Sequence, residues 1–472
     1  MSMPAYGLGS LLRPPRALYA LTFATLVFAL LAGGGQGSLI ESLLALLGLV
    51  LIVVAAVQAR TNGIPSGRAL WFWLVPTAFL TLPLLQLVAL PYAVWSNLPG
   101  RAPLAAGLAA AGVGPMRGAW TVSPIATEGV LWCALVPAGV FMGAALLSDV
   151  QRRALVMAAL AFAALSAFIG LWQLMDGPTS PLYLYRITNE GEAVGLFANR
   201  NHLASLLAVS LPITAGLLAD RVRDPLHGAR DLQVWWFTAL MVLLSVSVTA
   251  TRSRAGFGLL MLSVLASAVV LLSARKSRRW AGARPWLQMS AVLAGVLIVQ
   301  FTLYGMLIRA ESDPLDEHRW TLAANTVLAA QPARGLGYGL GTFVQAYDEI
   351  GDASADIQPY VNHAHDEYVE LWLEGGVPAM LLTLGALSLL GAQVVRLLRA
   401  GSGDEGVNLQ GYGLRIGATA ALLLLALHSI VDYPLRTLTL ATLAGLLAAV
   451  LLGPVRRHGR PPEAVARAGQ FQ

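Results

Sequence analysis

Runs such as SLIESLLALLGLVLIVVAAVQ, residues 38–58, recur along this 472-residue chain, and no other feature limits its fold so strongly. A bilayer core takes about 20 apolar residues per helix, because every backbone N–H and C=O must be bonded inside the segment. Twelve such runs predict spans near 17–33, 39–57, 70–93, 126–147, 154–175, 202–219, 234–251, 255–273, 286–308, 376–398, 412–430 and 437–453. Composition agrees: 57% hydrophobic and 12% charged residues, with a mean hydropathy of +0.66, exclude a soluble protein with a polar surface. The first run follows Arg13 and Arg16 but lacks a small-x-small cleavage site, so it reads as a span rather than a signal peptide.

Basic residues set the predicted orientation. With the N-terminus in the cytoplasm, about two thirds of the 31 Lys and Arg residues fall on the cytoplasmic segments, as the positive-inside rule requires. Both ends then face the cytoplasm. The formal net charge of +6 is accounted for by lipid headgroups, so no nucleic-acid partner is expected. The single cysteine, Cys133, excludes an intrachain disulfide and a cysteine-ligated zinc site.

Under this topology the outer face carries three segments larger than a turn: 94–125, 176–201 and 310–375. The chain divides into a membrane region at 1–309, a large outer loop at 310–375, further spans at 376–453 and a Pro/Arg/Gly-rich tail at 454–472 that reads as disordered. The long loop is acidic, with Glu311, Asp313, Asp316, Glu317, Asp348, Glu349, Asp352, Asp356, Asp366, Glu367, Glu370 and Glu374. Loops of that length usually have a task. The spans are poor in charge, whereas an ion-coupled transporter keeps ionisable groups near the midplane, so chemistry is expected at the outer surface.

Within that loop NHAHDEYVELWLEGG, residues 362–376, gathers two histidines and four acids. On a strand, His363 and His365 would share a face and suit a metal. The stretch reads instead as a helix entering the tenth span, where i and i+2 diverge, so no metal site is expected. Asp366 or Glu367 suits the helix start, Tyr368, Leu371 and Trp372 can pack inward, and Gly375-Gly376 allows a break before Pro378. The glycines of PARGLGYGLGTF, 332–343, lack nucleotide-loop spacing and read as flexible backbone able to approach a glycan or phosphate. Arg252 and Arg254 close the seventh span, and Asn199, Arg200, Asn201 and His202 precede the sixth. Trp71, Trp73 and Trp95 lie near span ends, as interfacial anchors do.

The ordered set GLFANRNHLA (195–204), TRSRAG (251–256), HRWTLAANTVLAAQPARGLGYGLGTF (318–343) and HAHDEYVELWLEGGVPAMLL (363–382) resembles the O-antigen ligase and polymerase superfamily of bacterial envelope enzymes. The resemblance implies an all-α, polytopic, GT-C-like membrane glycosyltransferase without a cofactor. It would move a glycan from undecaprenyl pyrophosphate to a periplasmic acceptor such as lipid A–core, at the inner membrane. The family's essential histidine falls on His365 with Gly376 matching; Asp366 replaces an amide residue, and Ala379 stands where Gly, Thr or Tyr is usual. Arg254 and Arg319 match the family's basic positions and join His365 as expected catalytic residues. Arg186, Arg200, Asn201, Arg252, His363 and Asp366 are the expected substrate-binding set. Arginines would hold the pyrophosphate, while histidine, ordinarily titrating near about 6.5, would serve as general base or orient the phosphate. A polymerase adding repeat units to a growing glycan uses the same donor and stays open, as does a non-catalytic polyprenyl-glycan transporter.

Overall fold

The structure, a computed structural model, describes residues 14–35, 38–65, 67–186, 188–223, 232–273, 314–333, 335–348, 362–401 and 411–452. Its apolar helices are α1 (Pro14–Ala32), α2 (Ser38–Asn62), α3 (Ala69–Gln86), α6 (Pro124–Leu146), α7 (Asp149–Asp176), α8 (Arg200–Arg223), α9 (Leu232–Ala250), α10 (Arg254–Ser273), α13 (Glu367–Gly401), α14 (Tyr412–His428) and α15 (Leu438–Leu451). Among the described residues eight helices are long and apolar enough to cross a membrane, and α1, α14 and α15 are shorter apolar ones. These eleven coincide with eleven predicted spans. The ninth, 286–308, lies outside the described residues, as do the 454–472 tail and the loop acids Glu311, Asp313, Glu349, Asp352 and Asp356. The fold is therefore an all-α polytopic membrane protein.

Connections add short elements. Between α3 and α6 lie β1 (Ala89–Leu90), α4 (Tyr92–Trp95), α5 (Ala102–Ala110) and β2 (Gly118–Ala119), with β1 and β2 antiparallel and Ala89 opposite Ala119. Trp95 is not an interfacial anchor: it is buried, donates its indole N–H to Met116 O at 2.7 Å, and lies against Gly118. After the undescribed ninth-span region come α11 (Pro314–Ala330) and α12 (Phe343–Asp348), so part of the 310–375 segment is helical.

Helix α8 is the hub. Every residue of its most apolar window is buried, and it packs against α9, α10 and α14. Lipid tails are as apolar as leucine, so helices associate in a membrane through close packing of small residues. Gly216 of α8 and Gly413 of α14 meet this way: a Cβ on either would fall within 2.4 Å of the other's carbonyl oxygen. One turn along α8, Asp220 accepts the N–H groups of the same Gly413 at 2.7 Å and of Leu414 at 3.1 Å, satisfying the start of α14. Successive helices alternate in direction, so the ends of α7, α9 and α14 and the starts of α8, α10, α13 and α15 share one end of the bundle.

Candidate active site at one end of the bundle

The candidate site is built where α13 begins. Asp366 accepts N–H bonds from Tyr368 at 3.0 Å and Val369 at 3.1 Å and so caps the helix. The residue before it, His365, holds φ at +54°, a left-handed conformation that a Cβ-bearing residue adopts only under constraint. One acid predicted at a helix start is therefore a helix cap. The other acids of the stretch behave differently.

Glu367, Glu370 and Glu374 form the buried face of the first two turns, where the sequence reading placed Tyr368, Leu371 and Trp372. Each carboxylate has partners, as burial demands. Glu367 accepts from Ser429 Oγ at 2.7 Å. Glu370 faces His363 Nδ1 at 2.8 Å and accepts Ala364 N–H at 2.9 Å. Glu374 accepts Phe343 N–H at 3.1 Å. Arg436, in the 3-10 turn Pro434–Arg436, supplies the cation, with Nη1 3.1 Å from Glu370 and Nη2 2.8 Å from Glu374. Trp372 packs partly against the core and Tyr368 donates to Ala426 O at 2.7 Å, but the glutamates lie deeper, because a counter-ion for them comes from 62 residues further along the chain.

Gly376 breaks the helix as predicted, with φ +54° and ψ −148° inside α13. The 335–341 loop docks into that break: Val377 donates to Gly335 O at 2.7 Å, Tyr338 to Leu373 O at 3.0 Å and Gly339 to Glu374 O at 2.8 Å. A Cβ on Gly337 would lie 2.4 Å from Glu374 O, and one on Gly376 only 2.0 Å from Gly335 O. These glycines thus permit contact between protein backbones, rather than approach to a glycan or phosphate. The segment after α3 closes the other side, with Val122 donating to Tyr338 O at 2.8 Å and Arg101 to Gly337 O at 3.2 Å.

At the mouth of this frame His365 Nδ1 lies 3.6 Å from Asp432 Oδ1, a long contact that a small shift would close to a hydrogen bond. Asp432 is wholly buried. Burial opposes its ionisation, but the imidazoles of His365, His202 and His428 outweigh that and hold its carboxyl well below the usual range. Tyr433 separates the histidines, its ring centroid 4.1 Å from His363, 5.2 Å from His365 and 5.0 Å from His202. Burial, then the Asp432 charge, push its phenol above the usual range, so it stays neutral.

Behind Asp432, His428 Nδ1 lies 2.8 Å from Ser205 Oγ, which also donates to Asn201 O at 2.8 Å. With its one proton committed to that carbonyl, Ser205 accepts from His428 Nδ1–H, leaving His428 Nε2 a bare acceptor.

The expected site residues divide into two groups. His363, His365, Asp366 and Arg319 come together, Arg319 donating from Nη1 to Val431 O at 3.2 Å beside Asp432. Asn201 joins them through Ser205 and His428. Arg200 opens α8 in an ion pair with Glu192, its backbone N–H donating to Asn189 Oδ1 at 3.0 Å. Arg252, with φ +54°, and Arg254 are exposed on the turn from α9 to α10, and Gly256 just after packs on Ala204 of α8. Arg186 is exposed on the connection from α7 to α8. The two histidines of His-x-His engage different carboxylates.

Asp432 and Arg436 were missed by sequence reasoning. A usable signal existed: only six residues separate the predicted spans 412–430 and 437–453, and two of those six are an Asp and an Arg, with a histidine just before at 428. Charges in so short a connection have little room to reach solvent.

Residues 239–384 match the family model described as O-antigen ligase. That match supports the resemblance to the O-antigen ligase and polymerase superfamily. The matched stretch runs from α9 into α13 and takes in Arg252, Arg254, Arg319, His363, His365 and Asp366. Asn201, His202, Asp432 and Arg436 lie outside it, and the fold alone brings them to the candidate site. No curated protein matches the chain.

Proposed function

We propose that the protein is an O-antigen ligase-like glycosyltransferase that moves a glycan from undecaprenyl pyrophosphate to a hydroxyl of a periplasmic acceptor such as lipid A–core. The observation that carries this reading is the pairing of His365 with the buried carboxylate of Asp432 at 3.6 Å. Such a pair serves a general base: the carboxylate orients the imidazole and stabilises the cation formed when it takes a proton.

In the reaction the acceptor oxygen forms a bond to the anomeric carbon as the bond from that carbon to the pyrophosphate oxygen breaks. The electron pair leaves with the pyrophosphate, and the acceptor proton passes to His365. Charge grows on the leaving group, so cationic donors belong there. Arg319 stands beside the pair, while Arg186, Arg252 and Arg254 are exposed. The carboxylates lie buried behind the histidine, away from the pyrophosphate they would repel. No charged cluster lies at mid-span among the described residues: Asp149, Arg152, Asp220 and Arg415 gather at the opposite end. That favours transfer at a surface over transport.

The positive-inside count supports an inner-membrane protein with this end in the periplasm. The envelope glycans of a strain lacking the gene test the reading. Full-length chains stranded on undecaprenyl pyrophosphate are expected; single repeat units transferred normally to the acceptor would make it a polymerase instead, and unchanged glycans would overturn the reading.

A further inference from the structure

Arg436 sits where the two halves of the site are joined. Its guanidinium spans Glu370 at 3.1 Å and Glu374 at 2.8 Å, whose side chains are 0% and 1% exposed. Burial disfavours its charge, but the two carboxylates outweigh that and keep it firmly cationic. The constraint then passes outward along two arms.

Through Glu370 it reaches Ala364 N–H at 2.9 Å and His363 Nδ1 at 2.8 Å, the backbone and side chain just ahead of His365. His365 is the residue held at φ +54°, so its ring direction depends on this anchored segment. Through Glu374 it reaches Phe343 N–H at 3.1 Å and hence the 335–341 loop. Arg436 itself lies four residues after Asp432, at the end of the 3-10 turn that follows Tyr433. One side chain thus ties the strained backbone that presents His365 to the turn that carries its carboxylate partner.

We propose that Arg436 is a positioning residue for the transfer reaction, setting the His365–Asp432 geometry through Glu370. The role rests on the reading of His365 as the base. It requires the planar fork, since two carboxylates on successive turns are met by two separate nitrogens; a lysine brings the charge but a single ammonium. A structural ion pair needs only the charge.

Two variants and one control test this with purified full-length protein in bilayer nanodiscs, using an undecaprenyl-pyrophosphate-linked glycan and a lipid A–core acceptor. Arg436→Lys keeps the charge, and Glu370→Gln keeps the shape and an acceptor oxygen for Ala364. For each variant that folds, the expected result is a kcat lower by about a hundredfold with KM for both substrates unchanged, the signature of a displaced catalytic group. Wild-type kcat in a folded variant, or a raised KM with kcat unchanged, would overturn the proposal. If Arg436→Lys does not fold, Glu370→Gln decides alone. His365→Ala is assayed alongside: turnover surviving there removes the reading of His365 itself, whereas a dead His365→Ala beside a fully active Arg436→Lys removes only the role of Arg436.

Discussion

His365 bears a conformational load of its own, with φ at +54°. A left-handed backbone costs a Cβ-bearing residue about 1–2 kcal/mol, and glycine escapes that cost. His365→Gly and His365→Ala both remove the imidazole beside buried Asp432 and should lose about 10²–10⁴-fold in kcat, the usual scale of a general base, but only alanine keeps the backbone strain; the glycine variant is expected to melt no lower than the alanine variant, and the reverse order would contradict the strain. Asp432 carries a pH signature. Its carboxyl titrates below its unfolded value, so its stabilising contribution is complete above about pH 4 and is lost as pH falls through the folded value. Thermal melts from pH 7 down to about pH 3 should fall more steeply for the wild type than for Asp432→Asn, whose kcat should also drop by about a hundredfold or more. Parallel melting curves would contradict this assignment. His365 was legible in the chain because a histidine at a helix start beside a span is locally unusual. Asp432 was harder to read, because two of the three imidazoles around it, His202 and His365, come from distant parts of the chain.

Helix α13 illustrates what an element's own sequence can and cannot disclose. The break at Gly375-Gly376 was readable, since glycine pairs ahead of proline interrupt helices. Which face turned inward was not: residues 367, 370 and 374 repeat with helical spacing as well as any apolar set, and only Arg436 makes their burial tolerable. The glycine requirement at the break gives a paired test. Gly376→Ala meets both a forbidden backbone conformation and Gly335 O at 2.0 Å from its new Cβ, so it should cost about 1–3 kcal/mol in strain alone, plus the displacement of the docked loop, and abolish turnover. Gly258→Ala in α10 has nothing within 4 Å and should be neutral or stabilise by up to about 1 kcal/mol. Thermal melts of the two variants side by side decide the matter, and equal behaviour would refute the docking role.

At the scale of the whole molecule the helices were legible because bilayer thickness dictates their length, whatever their neighbours do. Hydropathy does not report which of them meets lipid: α8 and α13 have similar values, 1.7 and 1.8, yet the first is 100% buried over its window and the second 11%. Sidedness is testable through Cys133, the one cysteine. In a Cys133→Ser background, Asn97→Cys, between α4 and α5, should react with a membrane-impermeant maleimide in intact spheroplasts. Asn62→Cys, at the far end of α2, should react only after permeabilisation. The reverse pattern would turn the protein over in the membrane and put His365 on the wrong side for a periplasmic acceptor.

Arg436 also has a consequence for biogenesis. The ribosome delivers Glu370 and Glu374 some 62 residues before the cation that pairs with them, with all of α14 in between. A nascent chain that has threaded α13 into the bilayer therefore carries carboxylates it cannot yet bury, and the first turns of that helix must wait at the water interface until the closing hairpin arrives. Assembly of the site thus comes late in synthesis, and a chain stalled before residue 436 holds Glu370 and Glu374 without their counter-ion.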